Sequence, residues 1–544
     1  MGLFVGVDVG TGSVRAALFA SDGQLLATAT EAITLWNPQP DLYQQDSEAI
    51  WHSCCQCVQR VLSSSGVDPA AVAGIGFDAT CSLVVLDAAL SPLSVSPTGE
   101  PNQNVIVWMD HRAVKEAEHI NRLGHAVLDG VGGTISPEMQ TPKLLWLKKH
   151  MPDTCWKKAG MFMDLPDFLT WKATGSTTRS LCTLVCKWTY QADGVEAGWS
   201  KSYFEQIGLG DLAEEGWKRI GTEVAAPGSP LGSGVSAEAA AQLGVPAGTP
   251  VAAALIDAHA GGLGLVACQD HVTDPCNRLG IICGTSSCFM AVSRQPCHVP
   301  GVWGPYWSAM LPDLWLSEGG QSASGKLLEA LLEAHPAGRA ARPSDRCIQD
   351  ELEETLVKMA AEEGANDVAL LASDLHVYPD YHGNRSPYAD PTLRGMVSGV
   401  TLDAGLSSLA RHYLATIQAI CYGSRCIVEA LTSGGHRISS VFVCGGITKS
   451  ALFVQTLADV LGVPVICPDQ PEAVLLGAAM LGAVASGLTL DEVRAQMGGP
   501  GRRVAARPQL ARFHEGKYKV MQMMRQHQLS YRSMMEDAVA VTAD

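Results

Sequence analysis

The sequence predicts an α/β protein made of two domains of like topology, and three observations carry that expectation. First, β-rich runs alternate with segments whose apolar residues recur at helical spacing, the pattern of sheets covered by helices. Second, a unit of strand, Gly-Thr turn and strand opens the chain in FVGVDVGTGSVRAALFA and returns past its middle in RLGIICGTSSCFMAVS. A repeat at half-length points to a duplicated domain. Third, the 544 residues suit two large domains, or three to four small ones, at roughly 100–200 residues each.

In chain order, LFVGVD is an apolar β-rich run ending in an acid, VGTG a turn, SVRAALFA a second strand, SDG a hairpin turn and QLLATAT a third strand. SEAIWHSCCQCVQRVLSSSG carries apolar side chains at i, i+3, i+4 and reads as a helix. VAGIGFDA and CSLVVLDA follow as buried strands. In the second half, ISSVFVCGGITKSALFVQTLADVLGVPVICP reads strand, Gly-Gly, helix, strand. Glycines cluster between a strand and a helix in DAHAGGLGLVACQD, which sets the expected division at 1–262 and 263–544. The segments LSPLSVSPTGEPNQN and EAHPAGRAARPSDR and the polar tail after Glu536 are expected to be weakly ordered.

Composition narrows the function. Apolar residues make up 47% of the chain and the formal net charge is −17, with no basic run of the kind that tracks phosphate backbones, so nucleic acid is not the expected partner. Of the seventeen cysteines, Cys54, Cys55 and Cys57 crowd together and most others sit singly in apolar runs, so they read as buried thiols in a reducing compartment. MGLFVGVDVG has no basic region or cleavage site, and Gly6 stands where a myristoylation motif needs Ser or Thr. The longest apolar stretch, VLLGAAMLGAVASGL, falls short of the roughly 18–20 residues that span a bilayer. A cytoplasmic enzyme away from membranes is the expectation, and a homo-oligomer is compatible with it.

Three motifs carry chemistry. In Gly6–Arg15, a G-x-G-x-x-G fingerprint fails because Arg15 takes the third glycine's place and a strand follows. A glycine-rich hairpin can instead form an anion nest of backbone N–H groups, with Thr11 and Ser13 adding donors, Arg15 adding charge, and Asp8 holding magnesium through its waters. Read alone, the segment is equally an ordinary hairpin turn. Gly284-Thr285-Ser286-Ser287 is a weak turn motif that gains meaning beside the first, as a second phosphate loop. Gly445 and Gly446 let a flat ring approach the backbone, or simply serve a βαβ crossover. Asp257 ends the apolar run VAAALI, which points an acid into a cleft. A helix cap is the alternative. A fourth pattern, Gly320 to Lys326 in GGQSASGKLL, mimics a P-loop but has Leu327 where Ser or Thr must bind magnesium, and LPDLWLSE before it is a poor strand.

Taken in order, GVDVGTGSVRAALF, GFDATCSLVVLD, NVIVWMDHRA, PKLLWLKKH, LIDAHAGGLG, CGTSSCFM, EGGQSASGK, HGNRSPYADPTLRGMVSGVTL, VCGGITKSALFVQTLADVLGVPV and EAVLLGAAMLGA resemble the FGGY family of carbohydrate kinases over essentially the whole chain, and its ribulokinase-like members most. The resemblance implies two actin/hexokinase-like (RNase H-like) domains with an interdomain ATP cleft. It implies ATP and Mg2+ as co-substrate and cofactor, and transfer of phosphate to a ketopentose, D-ribulose to D-ribulose 5-phosphate. Xylulose, L-ribulose and ribitol are alternative acceptors, and an actin-like ATPase with no acceptor is the alternative class.

It also implies roles. Asp8 serves the metal. Thr11, Gly12, Ser13 and Arg15 serve the phosphates from the first domain, and Gly284 and Thr285 from the second. Gly445, Gly446 and Ser450 fall at the adenosine. Asp257 takes the sugar hydroxyl proton, and Thr80, Ser82, Trp108, Asp110, Lys187 and Glu318 line the sugar pocket with it. Asp110 is the next candidate base, and Lys187 is the residue that favours a ketopentose over glycerol. Gly12 stands where some relatives carry a second Thr, and Ser450 where an Asn is often seen.

Overall fold

The structure is a computed structural model and describes residues 2–193, 197–340 and 347–543. The chain opens on β1 (Leu3–Val9), β2 (Ser13–Ala20) and β3 (Leu25–Ala32), a meander joined by tight turns. Helix α1 (Ser47–Ser65) starts where the Asp46 carboxylate accepts the N–H groups of Glu48 and Ala49, and stops at Gly66 in the left-handed region. Its buried face runs through Ile50, Trp51, Cys54, Val58 and Val61, spacing that keeps one stripe on the sheet. Strand β4 (Val72–Ala79) then pairs parallel with β1.

Later come α2 (Leu181–Lys187), β5 (Leu255–Ile256) and α3 (Asp257–Val266). The second half has β6 (Arg278–Cys283), β7 (Ser287–Ser293), β8 (Trp303–Trp307), β9 (Trp315–Gln321) and α4 (Gly325–Ala334). It continues with β10 (Ser440–Cys444), α5 (Ala451–Leu461), β11 (Val465–Pro468), α6 (Ala473–Ala485), β12 (Gly501–Val504) and α7 (Ala511–Ala543).

The two main sheets repeat one topology. The first runs β5-β4-β1-β2-β3 and the second β8-β9-β7-β6-β10-β11-β12. In each, three antiparallel strands (β1-β2-β3 and β6-β7-β9) are followed by two parallel strands added on the other side of the first, and the second sheet carries β8 beyond β9 and β12 antiparallel to β11 as well. The half-length repeat in the sequence is therefore a repeat of fold. A further five-stranded sheet, which contains Leu83–Asp87, Val105–Ile106 and Ala159–Asp164, flanks the first sheet near the cleft residues.

Helix α6 belongs to the second half in sequence but lies on the first sheet. A Cβ at Gly6, Gly74 or Gly76 would come within 1.8–2.1 Å of the α6 carbonyls of Leu475, Gly482 and Ala478. Only glycine lets helix and strand approach this closely.

Three local expectations change. The glycines of DAHAGGLGLV lie inside α3 rather than in a loop, and Gly264 faces the Ala473 carbonyl of α6. Trp315–Gln321 is a central strand despite its acid, because Glu318 faces the cleft. The tail after Glu536 continues α7. Of EAHPAGRAARPSDR, residues 341–346 lie outside the described residues, and Pro336–Ala340 is helical. All seventeen cysteines are free. Among the described residues no helix is long and apolar enough to cross a membrane.

Candidate active site

Asp8 and Asp78 sit at paired positions of the parallel strands β1 and β4, and both are buried. Neither oxygen of Asp78 has a hydrogen-bond partner. Burial, and then the neighbouring Asp8 charge, push the Asp78 carboxyl well above the usual carboxylate range. Two adjacent carboxylates, one with orphaned oxygens, form a donor set that a hard cation would satisfy. Asp78 was missed in the sequence, although VAGIGFDA shows the same signal as Asp8: an acid at the end of an apolar strand.

The first hairpin closes with the Gly10 N–H donating to Ser13 O at 3.0 Å, and leaves Gly12 exposed with open space around it. Thr11 and Ser13 flank that tip. Arg15 corrects the expectation of a free phosphate donor. Its Nε and Nη2 donate to Asp8 Oδ2 at 2.8 and 2.5 Å, and its Nη1 to Glu472 Oε2 at 2.9 Å. It clamps Asp8 to the start of α6.

In the second half Gly284 and Thr285 form an exposed tip, closed by the Gly284 N–H donating to Ser286 O at 2.9 Å. The N–H groups of Ser324, Gly325 and Lys326 donate to the carbonyls of Thr285 and Gly284. They are thus spent inside the protein, so Gly320–Lys326 offers no P-loop nest. Gly445 adopts φ 102°, and a Cβ there would meet Cys283 O at 2.2 Å, so the turn itself requires this glycine. Gly446 is exposed and open. The Ser450 hydroxyl caps α5 by accepting from the Phe453 N–H, and donates to Glu353 at 2.6 Å.

Asp257 opens α3 half-buried, with Oδ1 accepting its neighbour's N–H from Ala258 at 2.7 Å. Burial and the charge of Asp8 push its carboxyl up to about 6. That value suits a proton acceptor working near neutral pH.

Polar side chains and two tryptophan rings gather beside it. Thr80 and Ser82 share a hydrogen bond of 2.9 Å, and Ser82 Oγ accepts the Trp108 N–H at 3.1 Å. The Trp108 indole donates to Thr11 Oγ1 at 2.9 Å, tying this cluster to the β1–β2 hairpin. The Lys187 ammonium lies 4.3 Å from the Trp303 ring centre, and the Arg385 guanidinium lies over both Trp108 and Trp303. Despite burial, Glu318 is held down at about 2, chiefly by Lys187, then by His259 and Arg385. Arg385 also pairs with Glu138 at 3.7 Å.

Asp110 departs from its expected place. It is fully buried, and its oxygens take a two-pronged bond from Arg112 and the N–H groups of Tyr43 and Arg112. It braces the loop behind Trp108 and offers no free oxygen to a sugar or a proton.

Residues 3–264 match the N-terminal domain of the FGGY family of carbohydrate kinases, and residues 279–486 its C-terminal domain. The chain belongs to the FGGY family of carbohydrate kinases. It is an ATP-dependent carbohydrate kinase, a phosphotransferase acting on an alcohol group of its substrate. The FGGY carbohydrate kinase domain-containing protein of Danio rerio is 52% identical over 547 residues, covering 98% of this chain and 99% of the relative. A D-ribulokinase of Saccharomyces cerevisiae is 39% identical, over 89% of this chain and 72% of the relative. A solved xylulose kinase from Rhodospirillum rubrum superposes with a TM-score of 0.77 at 21% identity, over 97% of this chain and 99% of that one. That likeness shows the two-domain FGGY kinase fold.

The FGGY kinase pocket holds residues with no sequence signal of their own. Glu138, Trp303 and Arg385 come from separate loops and strands, and only the fold gathers them. His259 was visible beside Asp257 in LIDAHAGG but attracted no role.

Proposed function

We propose that the chain phosphorylates a ketopentose, D-ribulose first, with Asp257 as the base. The observation that carries the reading is the convergence of an acid raised to about 6, the opposite charges of Lys187 and Glu318, and the Trp108 and Trp303 rings, beside the Asp8–Asp78 pair. The D-ribulokinase similarity supports the substrate.

The sugar hydroxyl is a poor nucleophile while it keeps its proton. Asp257 accepts a hydrogen bond from it and orients it. As oxygen bonds to the γ-phosphorus, the bond from that phosphorus to the β–γ bridging oxygen breaks, and the hydroxyl proton passes to Asp257. Lys187 donates to the ketose carbonyl or an adjacent hydroxyl, and Glu318 accepts from another hydroxyl. A site built to bond a polar group rejects an analogue that lacks it. Thr11, Ser13, Gly284 and Thr285 hold the phosphates, and Gly446 lies under the adenosine. Asp8 and Asp78 would hold Mg2+, which supplies charge neutralisation on the phosphates when bound.

An ADP-release assay across ketoses and polyols tests this. D-Ribulose is expected to give the highest kcat/KM. A higher value for xylulose would overturn the substrate, and ADP release indifferent to every sugar would favour an actin-like ATPase.

A further inference from the structure

Behind Glu318 lies a cluster that phosphoryl transfer does not use. Helix α2 carries Cys182 and Cys186 one turn apart, with Lys187 next in the chain. Helix α3 carries His259 two residues after Asp257. His259 Nδ1 lies 3.0 Å from Cys182 Sγ, and its Nε2 lies 3.1 Å from Glu318 Oε2. His259 and Cys182 are fully buried.

The donor atoms of Cys182, Cys186 and His259 fall within 4.8 Å of one another, the span of a metal site. However, a tetrahedral zinc with bonds of about 2.3 Å to sulfur and 2.0 Å to nitrogen would hold S and N about 3.5 Å apart. The 3.0 Å contact is shorter and fits a shared proton. Full burial also argues against oxidation, which selects exposed thiolates.

The proton bookkeeping is constrained. A carboxylate can only accept, so His259 must keep a proton on Nε2 to bond Glu318. That condition holds in two forms: a Cys182 thiol donating to a bare Nδ1, and a Cys182 thiolate accepting from a protonated Nδ1. The Glu318 carboxylate thus excludes the tautomer that would carry its one proton on Nδ1 and leave Nε2 bare, and the Cys182 sulfur partners Nδ1 in either form. Burial disfavours both charges, yet Cys186 and His259 draw the Cys182 thiol down, while Cys182 and Glu318 raise the imidazole. The groups facing this chain are Cys182, Cys186 and Lys187 from α2, Tyr306 from β8, Glu318 from β9, Asp257 on the same helix as His259, and Arg385 beyond Glu318.

We propose that Cys182, His259 and Glu318 form a proton-ordering relay, in which His259 is a positioning residue that aims the Glu318 carboxylate at the sugar beside Asp257. This rests on the reading of Glu318 as a sugar contact.

The test compares C182A, C182S and H259Q. C182A leaves Nδ1 unpartnered, and H259Q breaks the chain. Both are expected to raise the sugar KM roughly ten- to hundredfold, the worth of a hydrogen bond to a charged group, while the ATP KM holds. C182S, whose hydroxyl can serve Nδ1 in the same way, should recover at least half of that loss. Unchanged sugar KM in folded C182A and H259Q would overturn the relay. So would a parallel rise in sugar and ATP KM, or a C182S as impaired as C182A. Wild-type protein labelled with 15N-histidine provides a readout that needs neither folded variants nor turnover. The His259 Nε2 should stay protonated from pH 6 to 9, and a bare Nε2 in that range would overturn the relay. If no ketopentose supports turnover, the substrate reading fails while this spectrum still decides the relay.

Discussion

Two carboxylates carry the proposed chemistry into pH, and each has its own titration behaviour. Asp257, pushed up to about 6, must be ionised to accept a proton. The kcat/KM for sugar is therefore expected to rise as pH climbs through about 6 and to level off above it. A flat profile from pH 5 to 8 in stable protein would contradict this role. Asp78 is raised well above its unfolded value, so the folded state holds that proton longer than the unfolded chain does. Its contribution to stability is full at low pH and is lost as pH rises above the unfolded value. Without metal, D78N should match wild type near pH 3, melt at higher temperature than wild type at neutral pH, and use Mg2+–ATP poorly. Thermal scans with and without Mg2+–ATP check both, and a D78N destabilised at neutral pH without metal would contradict the account. Asp8 and Asp257 were legible because each acid ends an apolar run. Asp78 has the same signature and was passed over, while Asp110 has a weaker one and is structural. What separates them is whether both oxygens are consumed: Arg15 takes only Oδ2 of Asp8, whereas Arg112 and the N–H groups of Tyr43 and Arg112 take both oxygens of Asp110, and sequence spacing does not show that.

At the scale of elements, α3 and α6 cross where the halves meet. A Cβ at Gly477 would lie 2.0 Å from Ala260 O, and one at Gly264 would lie 2.1 Å from Ala473 O. Overpacking of this kind typically costs about 1–3 kcal/mol, so G477A should lower stability by at least that much in denaturant titrations. A neutral G477A would mean the helices separate freely. The strands, α1 and the β10–α5–β11 unit were readable from local periodicity. The packing of α6 on β1 and β4 was not, because its partners lie some 400 residues away in sequence and glycine carries no hydrophobic signal. α7 was hidden for a related reason. Its buried Tyr518, Met521 and Met524 lie in a polar stretch whose exposed face dominates the composition.

At the scale of the molecule, two sheets of one topology face a shared cleft, and the repeated Gly-Thr hairpin announced that duplication before any coordinates did. Two ion pairs join the halves of the sequence: Arg15 to Glu472 at the start of α6, and Arg385 to Glu138. Phosphoryl transfer to a sugar must exclude water, so sugar binding is expected to close the halves about the α3–α6 crossing. Small-angle scattering should show a more compact particle with D-ribulose and a non-hydrolysable ATP analogue, and an unchanged profile would count against closure. The central claim is a ketopentose kinase with Asp257 as its base. The direct measurement is 31P NMR of the product together with turnover of wild type and D257N at pH 8, D257N first being shown to bind sugar and ATP. Wild type is expected to make one ketopentose 5-phosphate per ADP, and D257N to turn over about 10²–10⁴-fold more slowly. Near-normal turnover by folded D257N, or inorganic phosphate as the only new phosphorus signal besides ADP, would contradict it.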